Sequence, residues 1–314
     1  MGRAWIIGLA AILIGAVPAA AQPKKPSPLP AEIVGAWEKA GAQSCWMGCD
    51  ELFCSPFIRL EGPMHAQEVP GFQFKAWKPG VLGPLPQPGR EFGLSFNEAT
   101  FTDAALKELC GLKLKSLHTL QIAFTEVTDA GMKELSRLDS LEMLNVGATR
   151  VTDAGVKELA GLKSLKWLYL NGVPMKDAGL RELAGLKNLR ALYASGAQVT
   201  DAGLKELAGL TSLQALDMAA TKVGDAGLKE FARVKTLRML NISNTQVTDA
   251  ALDELTALKS LHTLNLAHTK VSDGGLKKLT GLKSLRFLSL FGTKVTDAGV
   301  AELQRALPKV SIAR

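Results

Sequence analysis

Tyrosine is almost missing from this 314-residue chain: two occur beside five tryptophans, and aromatic residues make up 6% of the total. So few rings leave no stripe of aromatics interleaved with basic residues, the arrangement on which single-stranded nucleic acid stacks. Nucleic acid is therefore not an expected partner. Histidine is also scarce, limited to His65, His118, His262 and His268. His118 and His262 fall at one slot beside expected strands and read as surface polar residues. No G-x-S-x-G, H-E-x-x-H or phosphate loop occurs. No general base and orienting partner converge on one point, so neither catalysis nor a cofactor is expected. The cysteines are Cys45, Cys49, Cys54 and Cys110. Their Cys-x3-Cys-x4-Cys spacing, even with His65 added, does not match a zinc site, and no metal is expected.

Long apolar runs are missing too, with one exception. Trp5 to Val17 carries no charge, follows the basic start Met1-Gly2-Arg3, and ends in Pro18-Ala19-Ala20-Ala21. It is too short to span a bilayer comfortably. Its small-residue end before Gln22 is the pattern of a cleaved secretory signal. Residues 1–21 are expected to be removed, leaving a secreted or periplasmic protein with no stable membrane insertion. Export makes the four cysteines disulfide candidates, with three pairings open.

What the chain has in abundance is repetition. Val199 to Lys222, VTDAGLKELAGLTSLQALDMAATK, is a 24-residue unit whose opening recurs every 24 residues from Val127 to Val295. An earlier copy starts at Phe101, with two extra residues near Lys113-Leu114. A fixed period of this size marks a solenoid. In the first half of each unit, Leu204, Leu207 and Leu210 recur at helical spacing, with Lys205 and Glu206 on the other face. Asp201 and its eight equivalents sit where an N-cap belongs. Gly203 lets neighbouring units approach closely, and Gly209 is placed as a C-cap. In the second half, Leu216 and Met218 are two apart, which is strand period.

Strand then helix, with L-x-x-L-x-L as in Leu165-Lys-Trp-Leu168-Tyr-Leu170, resembles a leucine-rich repeat. The V-T-D-A-G-L-K-x-L half resembles the bacterial, F-box-associated and cysteine-containing subtype. The resemblance covers about residues 92–314. It implies an α/β leucine-rich-repeat solenoid, a right-handed horseshoe with parallel strands on the concave face and helices on the convex face. Ten strands are expected, from Leu94/Phe96 to Val310/Ile312. The family's usual Asn or Cys after the last strand leucine is here Thr125, Thr149, Thr221, Thr245, Thr269 and Thr293, whose hydroxyls are expected to bond between neighbouring units.

Residues 22–30, QPKKPSPLP, read as a Pro-rich linker. Residues 31–91 hold an amphipathic helix from Ala31 to Gln43, three cysteines and a Pro/Gly-rich stretch. They have the size and position of an N-terminal cap, which a solenoid end requires. Cys110 replaces Ala160, Ala184 and Ala208 of later copies and is placed to staple the cap to the solenoid. Leu29-Pro-Ala-Glu-Ile33-Val34 looks like an F-box opening, but no three-helix domain continues it. The last copy, from about residue 297, lacks the Gly stop and reads as a C-terminal cap.

The formal net charge is +7. Most lysines lie beside glutamates on helix faces, the pattern of a solvated convex surface. The outward strand positions are more informative. Trp167, Tyr169, Tyr193 and Asp217 are expected together on the concave face, flanked by Met143 and Asn241. Exposed aromatics beside Asn and Asp are the composition of a recognition surface. The expected molecule is a monomeric, non-catalytic exported module that binds a protein through its concave face. An envelope polysaccharide is the other candidate partner. A structural envelope or matrix component, or an inhibitor or adaptor of a secreted enzyme, are the alternative roles.

Overall fold

The computed structural model describes residues 26–49, 56–60, 68–112 and 114–314. The expected signal peptide, Cys54, His65 and the side chain of Cys49 lie outside them. Ten short parallel strands stack along the chain: β4 Phe92–Ser95, β5 Leu117–Gln121, β6 Met143–Asn145, β7 Trp167–Tyr169, β8 Ala191–Tyr193, β9 Ala215–Asp217, β10 Met239–Asn241, β11 Thr263–Asn265, β12 Phe287–Ser289 and β13 Ser311–Ala313. The N-terminal segment contributes β1 Ala42–Cys49, β2 Pro56–Arg59 and β3 Val69–Phe74. All thirteen form one sheet, ordered from β13 down to β4 and then β3-β1-β2. Each pair from β5 to β12 aligns equivalent residues, as in Leu168 with Leu192 and Tyr169 with Tyr193. The pairing of β4 with β5 carries a register shift between Phe92 and Gly93.

The leucines of each repeat make the core. Leu204, Leu207, Leu210, Leu213 and Leu216 are fully buried in one cluster that runs through the repeats. The helices that cover it are short. Asp201–Glu206 is α-helical and passes directly into a 3-10 turn at Leu207–Gly209. This follows from sequence: only three leucines per unit need burial on that side, so little more than a turn and a half suffices.

Three local expectations need correction. Asp201 and its equivalents are not N-caps. In the regular repeats that position belongs to the preceding Thr or Ser, as where Thr200 Oγ1 accepts from Ala202 N–H at 3.2 Å. The Asp carboxylate instead reaches the next repeat: Asp177 accepts from Thr200 N–H at 2.8 Å and from Thr200 Oγ1–H at 2.7 Å. The ladder threonines bond within their own repeat, Thr221 Oγ1 donating to Met218 O at 2.6 Å. Gly209 does not adopt the left-handed C-cap conformation; its carbonyl receives Lys187 Nζ at 3.2 Å.

The N-terminal segment extends the solenoid's sheet. A helix at Ala31–Lys39 precedes β1, which pairs antiparallel with β2 and β3, and β3 pairs parallel with β4. Trp37 is buried against Phe72, with ring centroids 4.4 Å apart, and its Nε1–H donates to Pro86 O at 2.9 Å. The expected helix ends before Gln43 because Gly41, with φ of 95°, turns the chain into β1.

Candidate interaction face

Strand residues alternate between the two faces of the sheet. Leu168, Leu192 and Leu216 point into the main core. Met143, Tyr169, Ala191, Tyr193, Ala215 and Met239 form a separate apolar cluster, with Trp167 packed against it. The faces are therefore assigned as the sequence pattern requires. Tyr169, Tyr193, Asp217 and Asn241 stand in register on four successive strands, with Met143 aligned to Trp167 one file away.

Exposure is where the expectation fails. Tyr169 is 1% exposed, Tyr193 5% and Met143 2%. The two tyrosine rings stack with centroids 4.9 Å apart, the strand spacing itself, so each covers a face of the other. Ala191 and Ala215 give these rings short neighbours. The tyrosines are thus packed side chains and not free anchors; Trp167 is the half-buried aromatic at the cluster's border.

Asp217 is corrected in a different way. Its Oδ1 accepts Ala219 N–H at 2.9 Å. Asn145, Asn241 and Asn265 make the same bond to the residue two ahead, at 3.0, 3.1 and 3.0 Å. This row fastens the strand ends. Burial raises the Asp217 pKa above the ordinary carboxylate value, opposed by the hydrogen bonds from Ala219 and Asn241.

Next to Trp167 lies a polar cluster to which sequence reasoning gave no weight. Glu142 Oε2 accepts Lys166 Nζ at 2.6 Å and sits 3.0 Å from His118 Nε2. His118 Nδ1 lies 3.0 Å from Thr119 Oγ1. Burial lowers the His118 pKa, against the pull of Glu142 and Glu91, so near pH 7 the ring is neutral. These side chains, with Arg90, Trp167 and Arg190, line an open cleft of about 280 Å³ where β3 and the turn before β4 meet β5–β8. The signal in the sequence was the slot two residues before each first paired strand leucine, which holds His118, Glu142, Lys166 and Arg190.

Cys45 and Cys110 are free, buried thiols. The expected staple through Cys110 is therefore not formed with Cys45, and the sheet explains it. Cys45 packs with Met47 and Val69 on one side, whereas Cys110 lies in the main core on the other. Burial pushes both thiols up to about 12, which keeps them protonated and unreactive. Among the described residues no cluster of metal-ligating side chains occurs, and no helix is long and apolar enough to cross a membrane.

The model of the leucine-rich repeat region matches residues 102–309. Internalin C2 of Listeria monocytogenes is similar in structure, with 28% identity and a TM-score of 0.53 over 65% of this chain and 80% of its own. An internalin of the same organism, inlF, aligns at 18% identity and a TM-score of 0.44, covering 77% of this chain and 86% of its own. No curated protein sequence matches significantly. The match spans about two thirds of the chain and coincides with the strands and helices just described: the protein belongs to the leucine-rich-repeat family.

Proposed function

We propose that the protein is an exported, monomeric, non-catalytic module that takes a protein partner on the concave face of its sheet, at the border formed by Trp167 and the His118–Glu142–Lys166 cluster. The observation that supports this is the apolar cluster on the face opposite the main core. A solenoid needs one core to fold. A second cluster, bordered by a half-buried tryptophan and a neighbouring triad of polar side chains, has the composition of an interface centre with its polar rim. Tyr169 and Tyr193 shape its floor; Asp217 and Asn241 continue it along β9 and β10.

Material from the native host tests both parts of the reading. N-terminal sequencing should read Gln22 first. A photo-crosslinking residue at position 167 should capture a defined protein, and the same probe at the convex position 205 should not. Trp167→Ala should then weaken binding of that protein roughly tenfold. An intact Met1 would remove the export half. Identical adducts at 167 and 205 would leave a structural envelope role as the better account.

A further inference from the structure

One edge of the solenoid carries more charge than the whole chain. The turn leading into each strand from β5 to β13 has a lysine at one slot in six of nine copies, Lys163 and Lys187 among them. Three residues later the same copies place Lys166, Arg190, Arg238 and Arg286. The two files hold ten cations and two carboxylates, Asp139 and Glu142, a net of eight positive charges where the chain has +7. The remainder of the molecule is therefore slightly negative, and the field concentrates on this edge.

The two files differ in what they already do. Lys163, Lys187 and Lys259 donate to the carbonyls of Gly185, Gly209 and Gly281 at 3.5, 3.2 and 3.4 Å. Those carbonyls end the helical segment of the following repeat and have no partner within it. Most of the lysine file thus has a structural task. Arg190 and Arg238 do not share it: both are exposed, and among the described residues neither makes a side-chain hydrogen bond or ion pair. Their places are fixed by a backbone ladder in which Arg190, Gln214, Arg238, His262 and Arg286 each donate N–H to the carbonyl one repeat back, at 2.7–2.8 Å. Arg190, Arg238 and Arg286 consequently stand in line two strands apart, about 10 Å. Trp167 and Phe287, both half-buried, follow Lys166 and Arg286 on the concave side.

We propose that this edge binds a linear polysaccharide in which uronate and neutral sugars alternate. In an extended pyranose chain one disaccharide is close to the arginine spacing, so Arg190 and Arg238 each meet one carboxylate; Arg286 Nη1 already donates to Lys283 O and Leu285 O at 3.1 and 2.9 Å. A guanidinium grips a carboxylate through two parallel hydrogen bonds, which an ammonium cannot do. Trp167 and Phe287 present ring surface to the apolar faces of the sugars at the two ends of the file. An anionic membrane fits less well. It favours large exposed apolar side chains on the basic surface; of Leu60, Phe124 and Phe291, the exposed ones among the described residues, the two phenylalanines lie beyond the strands on the opposite edge and Leu60 belongs to the N-terminal segment. Single-stranded nucleic acid favours rings along the whole file, and the slots between Trp167 and Phe287 hold Ala191, Ala215, Met239 and Thr263. This surface shares Lys166 and Trp167 with the concave border and is tested apart from it, at Arg190 and Arg238.

A hyaluronan decasaccharide, which alternates uronate and neutral sugar, is the probe, and titration calorimetry on the mature chain is the measurement. Binding should weaken as salt rises. The double variant R190Q/R238Q should lose affinity roughly tenfold, and K205Q/K229Q, which removes two charges from the convex helices, should stay within about twofold. R190K/R238K keeps the charge and removes the forks; a loss of several-fold is expected. Carboxyl-reduced hyaluronan should not compete. The proposal is overturned by an absence of binding at low salt, by equal losses in the edge and convex variants, or by a lysine variant that binds like the wild type. It is equally overturned if phosphatidylglycerol vesicles or oligothymidylate displace the decasaccharide at lower concentration than unlabelled decasaccharide does.

Discussion

At position 217 an acid stands in a row otherwise rich in amides. Asn145, Asn241 and Asn265 accept a backbone N–H two residues ahead, and Asp217 does the same with a group that also carries charge. Burial raises its folded pKa, so between the unfolded and folded values the native state holds more protons than the unfolded one. Stability then falls as pH rises through that window and stays reduced above it. Asp217→Asn keeps the acceptor and removes the charge. It should therefore be more stable than the wild type near pH 7, with the difference vanishing as pH drops below the ordinary carboxylate range. Urea unfolding at a series of pH values measures this; a variant no more stable at pH 7 would show that the carboxylate is adequately solvated. The same row shows what sequence could and could not tell. The period of two assigned the faces of Leu168 and Tyr169 correctly. It could not tell that Tyr169 and Tyr193 would stack, because a pattern gives direction and says nothing of what a side chain meets. For that reason Trp167, and not Tyr169, is the useful probe of binding: truncating a buried Tyr169 would also open a cavity.

Between elements, the repeat holds together by a relay. In the regular repeats the Asp begins its own helix and binds the Thr or Ser that caps the next one, as Asp225 does with Thr248 N–H at 2.8 Å and Oγ1–H at 2.6 Å; among the described residues Asp153 and Asp201 reach only backbone N–H groups, those of Lys176 and Gly179 and that of Gly224. A β-carbon on Gly227 would collide with Asp201 Oδ1, which is the close approach the glycine permits. The period of the Asp, Thr and Gly positions was plain in the sequence. Their division of labour was not, since an N-cap and a residue one place inside the helix look alike at ±1 resolution. Asp177→Ala should cost about 1–3 kcal/mol, because Thr200 N–H and Oγ1–H lose their acceptor at a partly covered junction. Asp297 supplies an internal control. It begins the last helix and is fully exposed, and among the described residues it pairs only with Arg314. Asp297→Ala should change stability by well under about 1 kcal/mol. Equal losses in the two variants would show that the relay contributes nothing beyond an exposed charge.

For the molecule as a whole, the question is how a one-dimensional stack ends. At the C-terminus the longest of the repeat helices, Asp297–Ala306, and β13 close the core over Leu303 and Val310. At the N-terminus the sheet continues through β3, β1 and β2, and a helix lays Trp37 on Phe72, with Phe74 and Phe92 nearby. The solenoid was legible because every repeat restates the same pattern. The strands of the N-terminal segment were not, because Ala42–Cys49 has no alternation to read and becomes a strand only by pairing with β3 and β2. Neighbour-only contacts make the stability of such a stack a sum of local terms. Trp37→Ala should therefore act locally and strongly. It removes a ring that is 1% exposed and its bond to Pro86, a loss of about 3–5 kcal/mol in that end of the stack. Native-state hydrogen exchange is the measurement that resolves position. Amides of β3, β4 and β5 should lose protection, whereas those of β10 to β12 should keep theirs, because several intact repeats separate them from the cavity. If protection instead fell evenly from β4 to β12, the chain would unfold as one cooperative block, and the N-terminal segment would be part of its nucleus and not a cap upon it.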